Sequence, residues 1–326
     1  MSILVTGGAG YIGAHVVSLL AQRNEDVIVV DNLSTGLADR IGAAPLIELD
    51  LAASDAKEQL VQVMRNWSVE SVIHIAALKQ VGESMANPLL YYRENVGGMI
   101  ALLSAMEDCA VKRLVFSSSA ATYGMPGIET VTEATPTHPI SPYGQSKLIG
   151  EWMTAASASA WGLRPINLRY FNVAGAQSIE LADPAALNLI PIVINKVLNG
   201  EEPVIYGNDY PTPDGTCIRD YVHIGDLADA HLAALDSTAG SAPLETVLNV
   251  GTGHGASVSE VLDVLRSVSG RKIDPLVAPR RPGDPPKLIA DVTKIQSALG
   301  WSARRTLIDI VESAWLAEVA KRGALA

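Results

Sequence analysis

The chain has 326 residues, of which 48% are hydrophobic and 18% charged, and its 27 glycines and 18 prolines are scattered; this composition is typical of a globular protein and excludes a disordered or fibrous one. Its formal net charge of −11 opposes binding to nucleic acid or anionic membranes, so we expect a small-molecule partner. No apolar run approaches the length that crosses a bilayer, and the chain opens on an apolar strand rather than a signal peptide.

Short apolar runs alternate with helix-length amphipathic stretches in the N-terminal part of the chain. Runs that are apolar on both faces are typical of a parallel sheet covered by helices, and right-handed crossovers then favour a doubly wound arrangement. In the first helix, the face toward the sheet is predicted to carry Ile12, Val16, Leu19 and Leu20. The sequence therefore predicts an α/β fold with a doubly wound parallel (Rossmann) sheet. Its predicted strands are Ile3–Thr6, Val27–Val30, Leu46–Leu49, Val72–Ala76 and Leu114–Ser117.

The second half of the chain indicates a smaller α/β substrate domain. From about Asn172 the alternation weakens, and Tyr206–Thr216 is crowded with Gly, Pro, Asp and Asn, which favour loops. Val247–Val250 resembles a late return to the sheet, and Ser257 with Glu260 matches the spacing of a helix capping box. We therefore predict two interleaved domains. They are a Rossmann domain at 1–171 with a return segment at about 222–255, and a substrate-binding domain at 172–221 and 256–326.

Glycines stand at intervals of three after the first predicted strand, in the stretch Gly7-Gly8-Ala9-Gly10-Tyr11-Ile12-Gly13. The first allows a tight turn, the second lets the backbone approach a pyrophosphate, and the third lets helix pack on strand. The N-terminus of the following helix then faces the anion. Because this motif opens the first βαβ unit, it predicts a dinucleotide site rather than an ordinary turn.

Acidic residues end the next two predicted strands. Asp31 ends the second strand, where a carboxylate can accept hydrogen bonds from both ribose hydroxyls and repels a 2′-phosphate. No Arg or Lys follows before Arg40, so we predict NAD rather than NADP. Asp50 ends the third strand and has two interpretations, contact with the adenine ring or simple turn formation.

Tyr143 and Lys147 lie four residues apart, which puts a phenol and an ammonium on one face of a helix. The positive charge favours the phenolate and so suits the phenol to work as a general base. Ser119 closes a polar Ser117-Ser118-Ser119 run at the end of an apolar strand and can hydrogen-bond the same reacting oxygen. Each residue is common alone; beside a dinucleotide motif, the three indicate a catalytic set.

These motifs together resemble the extended short-chain dehydrogenase/reductase superfamily, and the chain is most similar to its UDP-glucose 4-epimerases. The resemblance runs through essentially the whole chain. Beyond the glycine motif and the Tyr-Lys pair, it rests on the stretches Lys79–Ser84, Arg169–Asn172, Gly207–Tyr221 and Arg280–Asp284.

The resemblance implies 4-epimerisation of a UDP-hexose by an isomerase with tightly bound NAD. Tyr143 would take the proton of the sugar 4-hydroxyl while C4 passes hydride to NAD, and the 4-keto sugar would turn over before the hydride returns. Ser119, Tyr143 and Lys147 are then the catalytic residues. The expected cofactor contacts are Gly7, Gly10, Tyr11, Ile12, Gly13, Asp31, Asn32, Asp50, Leu51, Ala76, Ala77, Lys79, Asn95, Tyr143, Lys147 and Phe171, and the expected substrate contacts are Lys79, Ser119, Tyr143, Asn172, Asn188, Leu189, Val204, Tyr206, Arg219, Arg281, Asp284 and Leu288.

The chemistry of the predicted substrate contacts agrees with a nucleotide sugar. Arg219 and Arg281 can neutralise a pyrophosphate by bidentate hydrogen bonds, and Asp284 can accept from a ribose hydroxyl. For each arginine the alternative is a surface salt bridge.

Other functions stay open as alternatives. They are a UDP-glucuronate 4-epimerase, a UDP-N-acetylhexosamine 4-epimerase and a noncatalytic NAD-sensing protein, which could dispense with the Tyr-Lys pair. A nucleotide-sugar dehydratase is disfavoured because Ala120–Thr122 stands where resembling dehydratases carry an acidic pair. A uronate would need a cation, and no Lys or Arg lies between Arg169 and Lys196.

Leu288 stands where, on alignment by eye, the family has a gating residue that is often a large Tyr or a small Cys or Ser. Because Leu lacks the ring, we predict moderately relaxed selection at sugar C2. N-acetylated sugars are then expected to be processed slowly.

Assembly and location are also expectations at this stage. Relatives of this kind often pair through four helices, so we expect a homodimer with candidate helices at Tyr91–Met106 and Lys147–Trp161. Cys109 and Cys217 stand far apart with no paired spacing, so neither a disulfide framework nor a zinc site is indicated, and the reducing cytoplasm is favoured. The six histidines show no ligand-like cluster, so no metal is predicted.

Overall fold

The computed structural model describes residues 2–185, 187–240, 246–281 and 283–323. The chain divides into two compact units, each assembled from separate segments. Residues 125–136, assigned to the Rossmann domain by the sequence analysis, belong to the second unit because a strand at Thr130–Val131 pairs with one at Lys287–Ala290. The return segment is also shorter than predicted. Unit 1 comprises Met1–Gly124, Thr137–Arg169 and Ala228–Leu248, and unit 2 comprises Met125–Pro136, Tyr170–Leu227 and Asn249–Ala326.

Strands and helices are numbered separately in chain order. The strands are β1 Ser2–Thr6, β2 Asp26–Asp31, β3 Leu46–Glu48, β4 Val69–His74, β5 Arg113–Ser117, β6 Thr130–Val131, β7 Arg164–Tyr170, β8 Asn172–Ala174, β9 Val204–Tyr206, β10 Ile218–His223, β11 Val247–Val250, β12 Gly255–Ser257, β13 Leu276–Ala278 and β14 Lys287–Ala290. The helices are α1 Tyr11–Gln22, α2 Ala56–Asn66, α3 Val81–Ala86, α4 Pro88–Tyr91, α5 Gly98–Asp108, α6 Pro142–Trp161, α7 Leu189–Leu198, α8 Ile224–Ser237, α9 Val258–Ser269, α10 Thr293–Leu299 and α11 Leu307–Gly323.

The larger sheet has seven strands in the order β11-β7-β5-β4-β1-β2-β3. Every pair formed among β1 to β5 and β7 is parallel, which confirms the predicted Rossmann sheet. The strand order runs outward from β1 in both directions. The carboxyl ends of β1 and β4 therefore form the switch point at which open α/β sheets bind ligands.

Strand β4 runs from Val69 to His74, so it begins three residues earlier and ends two residues earlier than the predicted Val72–Ala76. The amides of Ile75 and Ala76 both donate to the carbonyl oxygen of Thr6, each at 3.0 Å, so the chain leaves the ladder there. The other four predicted strands agree with the observed ones to within one or two residues. The apolar run thus continued into a loop that packs on the end of β1.

Helix α1 buries a stripe that differs by one residue from the predicted face. Ile12, Val16 and Leu20 are buried at spacings of four, as expected, but Leu19 is only half-buried. Val17 is buried instead. Side chains at i and i+4 lie above one another, so the stripe is centred on that row and Leu19 falls on its flank.

Unit 2 is built around strand β10. Its sheet has the order β12-β10-β14-β6, and β8 also pairs with β10. Helices α7, α9 and α11 contribute to the unit's apolar core with Val193, Leu262 and Val311. The predicted capping box is confirmed, because the Ser257 hydroxyl accepts from the Glu260 amide while the Glu260 carboxylate accepts from the Ser257 amide. No helix in the described part of the chain is long and apolar enough to cross a bilayer.

Candidate active site

The turn between β1 and α1 can be formed only by glycine at its critical positions. Gly7 adopts φ of +72°, and a Cβ on Gly13 would lie 2.0 Å from the Gly7 carbonyl oxygen. A Cβ on Gly10 would meet only that same oxygen, at 3.4 Å, so the backbone there is open to close approach. Gly10 is also the N-cap of α1 and has no side chain to cap it. These features fit the pyrophosphate of a dinucleotide.

Asp31 is buried at the end of β2 and is tied to the glycine turn. One carboxylate oxygen accepts from the Ala9 amide at 3.0 Å, and the other accepts from the Leu33 amide at 2.9 Å. Each oxygen keeps a further lone pair, so the carboxylate can still receive ribose hydroxyls. Asn32 is exposed beside it and accepts from the Ser34 hydroxyl.

Asp50 is exposed after β3, and one of its carboxylate oxygens accepts from the Ala52 amide at 2.9 Å. This bond makes a turn, so the turn interpretation accounts for one of its oxygens. Leu51 is buried and lies against Gly98, where a Cβ would come within 3.0 Å of the Leu51 Cβ. The segment after β3 therefore packs on the start of α5.

The loop after β4 lies directly against the glycine turn. A Cβ on Gly7 would come within 2.5 Å of the Ala76 backbone nitrogen, which makes glycine necessary there a second time. Ala76 and Ala77 are half-buried. The ammonium of Lys79 lies 5.8 Å from the centre of the Tyr11 ring at the start of α1. Unit 1 thus brings together cofactor candidates from three separate stretches of sequence.

Asn95 holds this loop to α6. Its side-chain oxygen accepts from the Leu78 amide at 2.8 Å, and its nitrogen donates to the Leu78 carbonyl and to the Ser146 hydroxyl, each at 3.0 Å. Asn95 is buried in a π-helical segment, Tyr92–Gly97, and such segments are frequent at functional sites. The residue after Ser146 is Lys147.

Helix α6 presents the predicted base on its first turn. Pro142 occupies the first helical position, and the Ser141 hydroxyl caps the helix by accepting from the Gly144 amide at 3.2 Å. Both features are typical of a fixed helix start. Tyr143 follows at once, with Lys147 one turn later, and the two side chains are 6% and 3% exposed. The Tyr-Lys pair is therefore buried rather than part of a solvated face.

The turn that bears Ser119 packs against the same end of α6. The Ser119 hydroxyl accepts from the Ala121 amide at 3.1 Å, and its carbonyl accepts from the Thr122 hydroxyl at 2.9 Å. A Cβ on Gly144 would lie 2.6 Å from the Ala121 carbonyl oxygen, so glycine is needed beside Tyr143 for this close approach. All three predicted catalytic residues therefore belong to one packed region of unit 1.

Lys147 is held at the end of β5. Its ammonium donates to the Ser117 carbonyl at 2.8 Å and lies 5.0 Å from the centre of the Phe116 ring. Burial lowers the pKa of Lys147 to about 7. The Phe116 ring also stacks on the imidazole of His74. Burial, together with the charge of Lys147, lowers the pKa of His74 to about 3. The histidine is therefore neutral and adds no competing charge.

A buried ion pair next to this set was not found by the sequence analysis. Arg169 donates to both carboxylate oxygens of Glu151, at 2.9 and 2.6 Å. The only signal in the sequence is that Glu151 lies four residues after Lys147, among apolar neighbours. A glutamate at such a position on a buried helix face needs a partner.

In unit 2, predicted substrate contacts gather along β10 and β14. The guanidinium of Arg219 donates to the Asp284 carboxylate at 2.7 Å and to the Ile218 carbonyl at 2.8 Å. Leu288 pairs directly with Arg219 in the β10–β14 register. The guanidinium carbon of Arg281 lies 4.0 Å from the centre of the Tyr206 ring.

The other predicted contacts of unit 2 lie on β8, β9 and the start of α7. Asn172 is exposed on β8 and pairs with Tyr221 of β10. Asn188 is the N-cap of α7, and its side chain donates to the Val173 carbonyl at 3.3 Å. Phe171 is buried just before Asn172. Leu189 begins α7, Val204 and Tyr206 are the ends of β9, and Val204 is half-buried while Tyr206 is exposed.

The sheet order, the glycine turn with Asp31 and the buried Tyr-Lys pair define a class, the Rossmann-fold enzymes of the short-chain dehydrogenase/reductase type. The family model described as "NAD dependent epimerase/dehydratase family" matches residues 3–251. The UDP-glucose 4-epimerase of Azospirillum brasilense is 46% identical over 319 residues, which cover 96% of this chain and 90% of that protein.

The chain is also similar to solved structures of UDP-glucose 4-epimerases. UDP-glucose 4-epimerase from Brucella ovis in complex with NAD has a TM-score of 0.91 and 40% identity, with 97% of both chains covered. The enzyme from Bifidobacterium longum in complex with NAD⁺ and UDP has a TM-score of 0.90 and 37% identity, with 99% of both chains covered. The chain therefore belongs to the NAD-dependent epimerase/dehydratase family and, within it, to the UDP-glucose 4-epimerase family. This membership confirms the predictions of an enzyme and of NAD as its cofactor.

Proposed function

We propose that the protein interconverts UDP-glucose and UDP-galactose by 4-epimerisation, with Tyr143 as the general base. The observation that carries the proposal is the buried face of α6, where Tyr143 and Lys147 lie beside the turn that bears Ser119. A 4-epimerase needs one group that takes a proton from the sugar and later returns it, next to a dinucleotide site. Unit 1 contains side chains suited to both requirements.

The proposed chemistry uses three side chains in separate roles. The Tyr143 phenolate accepts the proton of the sugar 4-hydroxyl, and the Ser119 hydroxyl hydrogen-bonds the same oxygen. Bound NAD supplies the hydride acceptor and donor for C4. Protonated Lys147 stabilises the phenolate, and the pKa of about 7 lets this charge come and go near neutral pH. The 4-keto sugar then presents its other face, Tyr143 returns the proton, and C4 is inverted without net use of cofactor.

Unit 2 supplies the groups that we propose hold the nucleotide of the same substrate. Arg219 and Arg281 bind the pyrophosphate, and Asp284 accepts from a ribose hydroxyl. Arg219 already uses two of its nitrogens on Ile218 and Asp284, but a guanidinium has five N–H groups and so keeps donors for phosphate. A firm grip on the nucleotide leaves the sugar free to turn over.

We propose a neutral hexose as the sugar. Residues 170–195 include Asn172 and Asn188 but no Lys or Arg, so this stretch offers amides rather than a cation for a uronate carboxylate. UDP-glucuronate and UDP-N-acetylhexosamines are the alternative substrates, and a noncatalytic NAD-sensing protein is the alternative from another class.

The test is incubation of the purified protein with UDP-galactose and separately with UDP-glucuronate, without added cofactor, with the 4-epimers followed by chromatography. Conversion of UDP-galactose, reduced about 10³-fold or more in Tyr143→Phe, is the expected result, because removal of a general base costs this much. Tyr92→Phe is the matched control. It removes another phenol hydroxyl that contacts α6, through Gln145, and should leave the rate within about 3-fold of wild type.

Either of two results would overturn the proposal. The first is no conversion of UDP-galactose even with NAD supplied, and the second is full activity in Tyr143→Phe. Conversion of UDP-glucuronate in place of UDP-galactose would transfer the proposal to the uronate enzyme.

We also propose a homodimer that uses α5 and α6. Ile100 on α5 and Trp152 on α6 are 53% and 62% exposed, unusually open for such large apolar side chains. Sedimentation of the wild type should give twice the chain mass, and Ile100→Glu should shift it toward the monomer.

We also propose a cytoplasmic location, since Cys109 and Cys217 are both free thiols.

A further inference from the structure

Two hydrogen bonds fasten α6 to the carboxyl end of β5. The Lys147 ammonium donates to the Ser117 carbonyl at 2.8 Å, and the Ser118 hydroxyl donates to the Glu151 carboxylate at 2.5 Å. Lys147 and Glu151 are one helical turn apart, on the face that carries the proposed base. Ser117 and Ser118 immediately precede the proposed catalytic serine. The two bonds therefore lie directly behind the proposed catalytic set.

The acceptor in the second bond, Glu151 Oε1, also accepts from Arg169 of β7. The bidentate pair has both side chains only 5–6% exposed, and the Arg169 guanidinium also lies 4.8 Å from the centre of the Tyr123 ring. Burial opposes the charge on Arg169, but the hydrogen bonds and charge of Glu151 outweigh it, so its pKa is raised. Arg169 therefore stays charged, and bidentate geometry fixes the Glu151 carboxyl group in both direction and distance.

Stability alone does not explain a buried pair of this kind. Well-packed apolar side chains in its place are often equally stabilising or better, because two charges lose their hydration on burial. Such a pair does supply a rigid acceptor. The Ser118 hydroxyl donates to the Glu151 side chain, so this rigid acceptor holds the Ser118–Ser119 turn.

We propose that Glu151, braced by Arg169, is a positioning residue for the reaction. Through the Ser118 hydroxyl it sets where the Ser119 hydroxyl stands relative to Tyr143 and Lys147 on α6. This inference rests on the proposed function, because it assumes that Ser119 acts on the sugar oxygen. Glu151 itself contacts neither substrate nor cofactor in this scheme.

Ser118→Ala is the principal test, since it removes the link and leaves the ion pair intact. We expect kcat for UDP-galactose to fall about 10-fold, because small errors in placing a catalytic group are costly. KM and the NAD content of the purified protein should stay within about 2-fold of wild type, since no binding group is lost. Glu151→Gln should give the same kinetic pattern with a lower Tm. Unchanged kcat in folded Ser118→Ala would overturn the proposal.

A double-mutant cycle separates positioning from general loosening of the fold. If Ser118 acts through Ser119, Ser118→Ala should cost nothing further in a Ser119→Ala background. Independent losses that multiply would show that Ser118 acts elsewhere, and the proposal would fall.

Two controls remove similar groups from other places. Thr238→Val deletes a buried hydroxyl that bonds to Arg113 and Leu235, and Asp226→Asn breaks a buried carboxylate pair with Arg305. Both should lower Tm while kcat stays within about 2-fold of wild type; a 10-fold loss in either would overturn the specific role. Tyr143→Phe decides the proposed function independently. If that variant is inactive and Ser118→Ala is fully active, only the positioning role fails.

Discussion

The charged side chains proposed for catalysis in unit 1 and for nucleotide binding in unit 2 are held in different ways. On the α6 face of unit 1, Lys147 and Glu151 are 3% and 5% exposed and are fixed to neighbouring strands by hydrogen bonds. In unit 2, Arg281 is exposed and stacks on an exposed tyrosine, and Asp284, the partner of Arg219, is 30% exposed.

This difference in exposure matches two different tasks of charged side chains, proton transfer and nucleotide binding. Charges that assist proton transfer gain from burial, because electrostatic interactions are stronger where water is excluded and the groups need not reorganise. Charges that hold a nucleotide must be open to it and must exchange an existing partner for phosphate or ribose. Changes in unit 1 should therefore act on kcat, and changes in unit 2 on KM.

The largest effect should come from Lys147→Met. Loss of the buried ammonium leaves the phenolate without its stabilising charge, so kcat for UDP-galactose should fall about 10³-fold with little change in KM. Initial rates over a range of substrate concentrations measure both. Lys57→Met is the control, since Lys57 forms an exposed pair with Asp108, and its rates should match wild type. A rise in KM with unchanged kcat would contradict the expectation that changes in unit 1 act on kcat.

Arg281→Ala tests the nucleotide contacts that we propose in unit 2. We expect KM for UDP-galactose to rise about 10-fold with kcat nearly unchanged, which is the cost of one charged hydrogen-bond donor. The neighbouring Arg280 bonds to Asp209 and stacks on Tyr210, so Arg280→Ala is a matched control that should change KM far less. Equal effects of the two variants would show that general surface charge, rather than a defined contact, binds the nucleotide.

Leu288 tests how loosely the sugar is held. Wild type should convert UDP-N-acetylglucosamine slowly, and Leu288→Tyr should reduce that activity about 10-fold while sparing UDP-galactose, because the added ring narrows the space at C2. Product chromatography at high enzyme concentration measures both reactions. Undetectable conversion of the N-acetylated sugar by wild type would contradict the prediction.

The smallest expected effect is on how thermal stability depends on pH. Folding lowers the pKa of Lys147 from 10.5 to about 7, so between these values the unfolded chain binds the extra proton and stability rises with pH. Below about pH 7 the folded protein carries the whole cost of a buried ammonium. Lys147→Met should therefore have a Tm several degrees above wild type at pH 6.5, and the gap should narrow toward pH 10. A pH-independent difference would show that this burial cost is absent.

Much of unit 1 could be predicted from local sequence. Strand-length apolar runs identified β1 to β5, and the glycine spacing identified the turn before α1. The spacing of Tyr143 and Lys147 placed them on one helical face, and the structure adds that this face is buried. These features are local because each depends on residues within a few positions of one another. The error at Leu19 arose from the same locality, since periodicity gives a face but not its exact centre.

Contacts between distant segments could not be predicted. Arg169 meets Glu151 only because β7 pairs with β5, and no periodicity in either stretch indicates that pairing. Likewise β6 joins unit 2 by pairing with β14, more than a hundred residues away, which moved a domain boundary. Short strands of two or four residues carry too little pattern to show their partners.

The sequence by itself determined the Rossmann architecture and the preference for NAD, and it placed Tyr143 and Lys147 on one helical face. All three follow from the residue types at fixed short spacings, where backbone geometry leaves few choices. The tertiary structure alone decided that Lys147 is buried with a lowered pKa, that Arg219 pairs with Asp284, and that Glu151 accepts from the Ser118 hydroxyl. Burial and ion pairing depend on which segments pack together, and that choice is made by the free energy of the whole chain rather than by any one stretch.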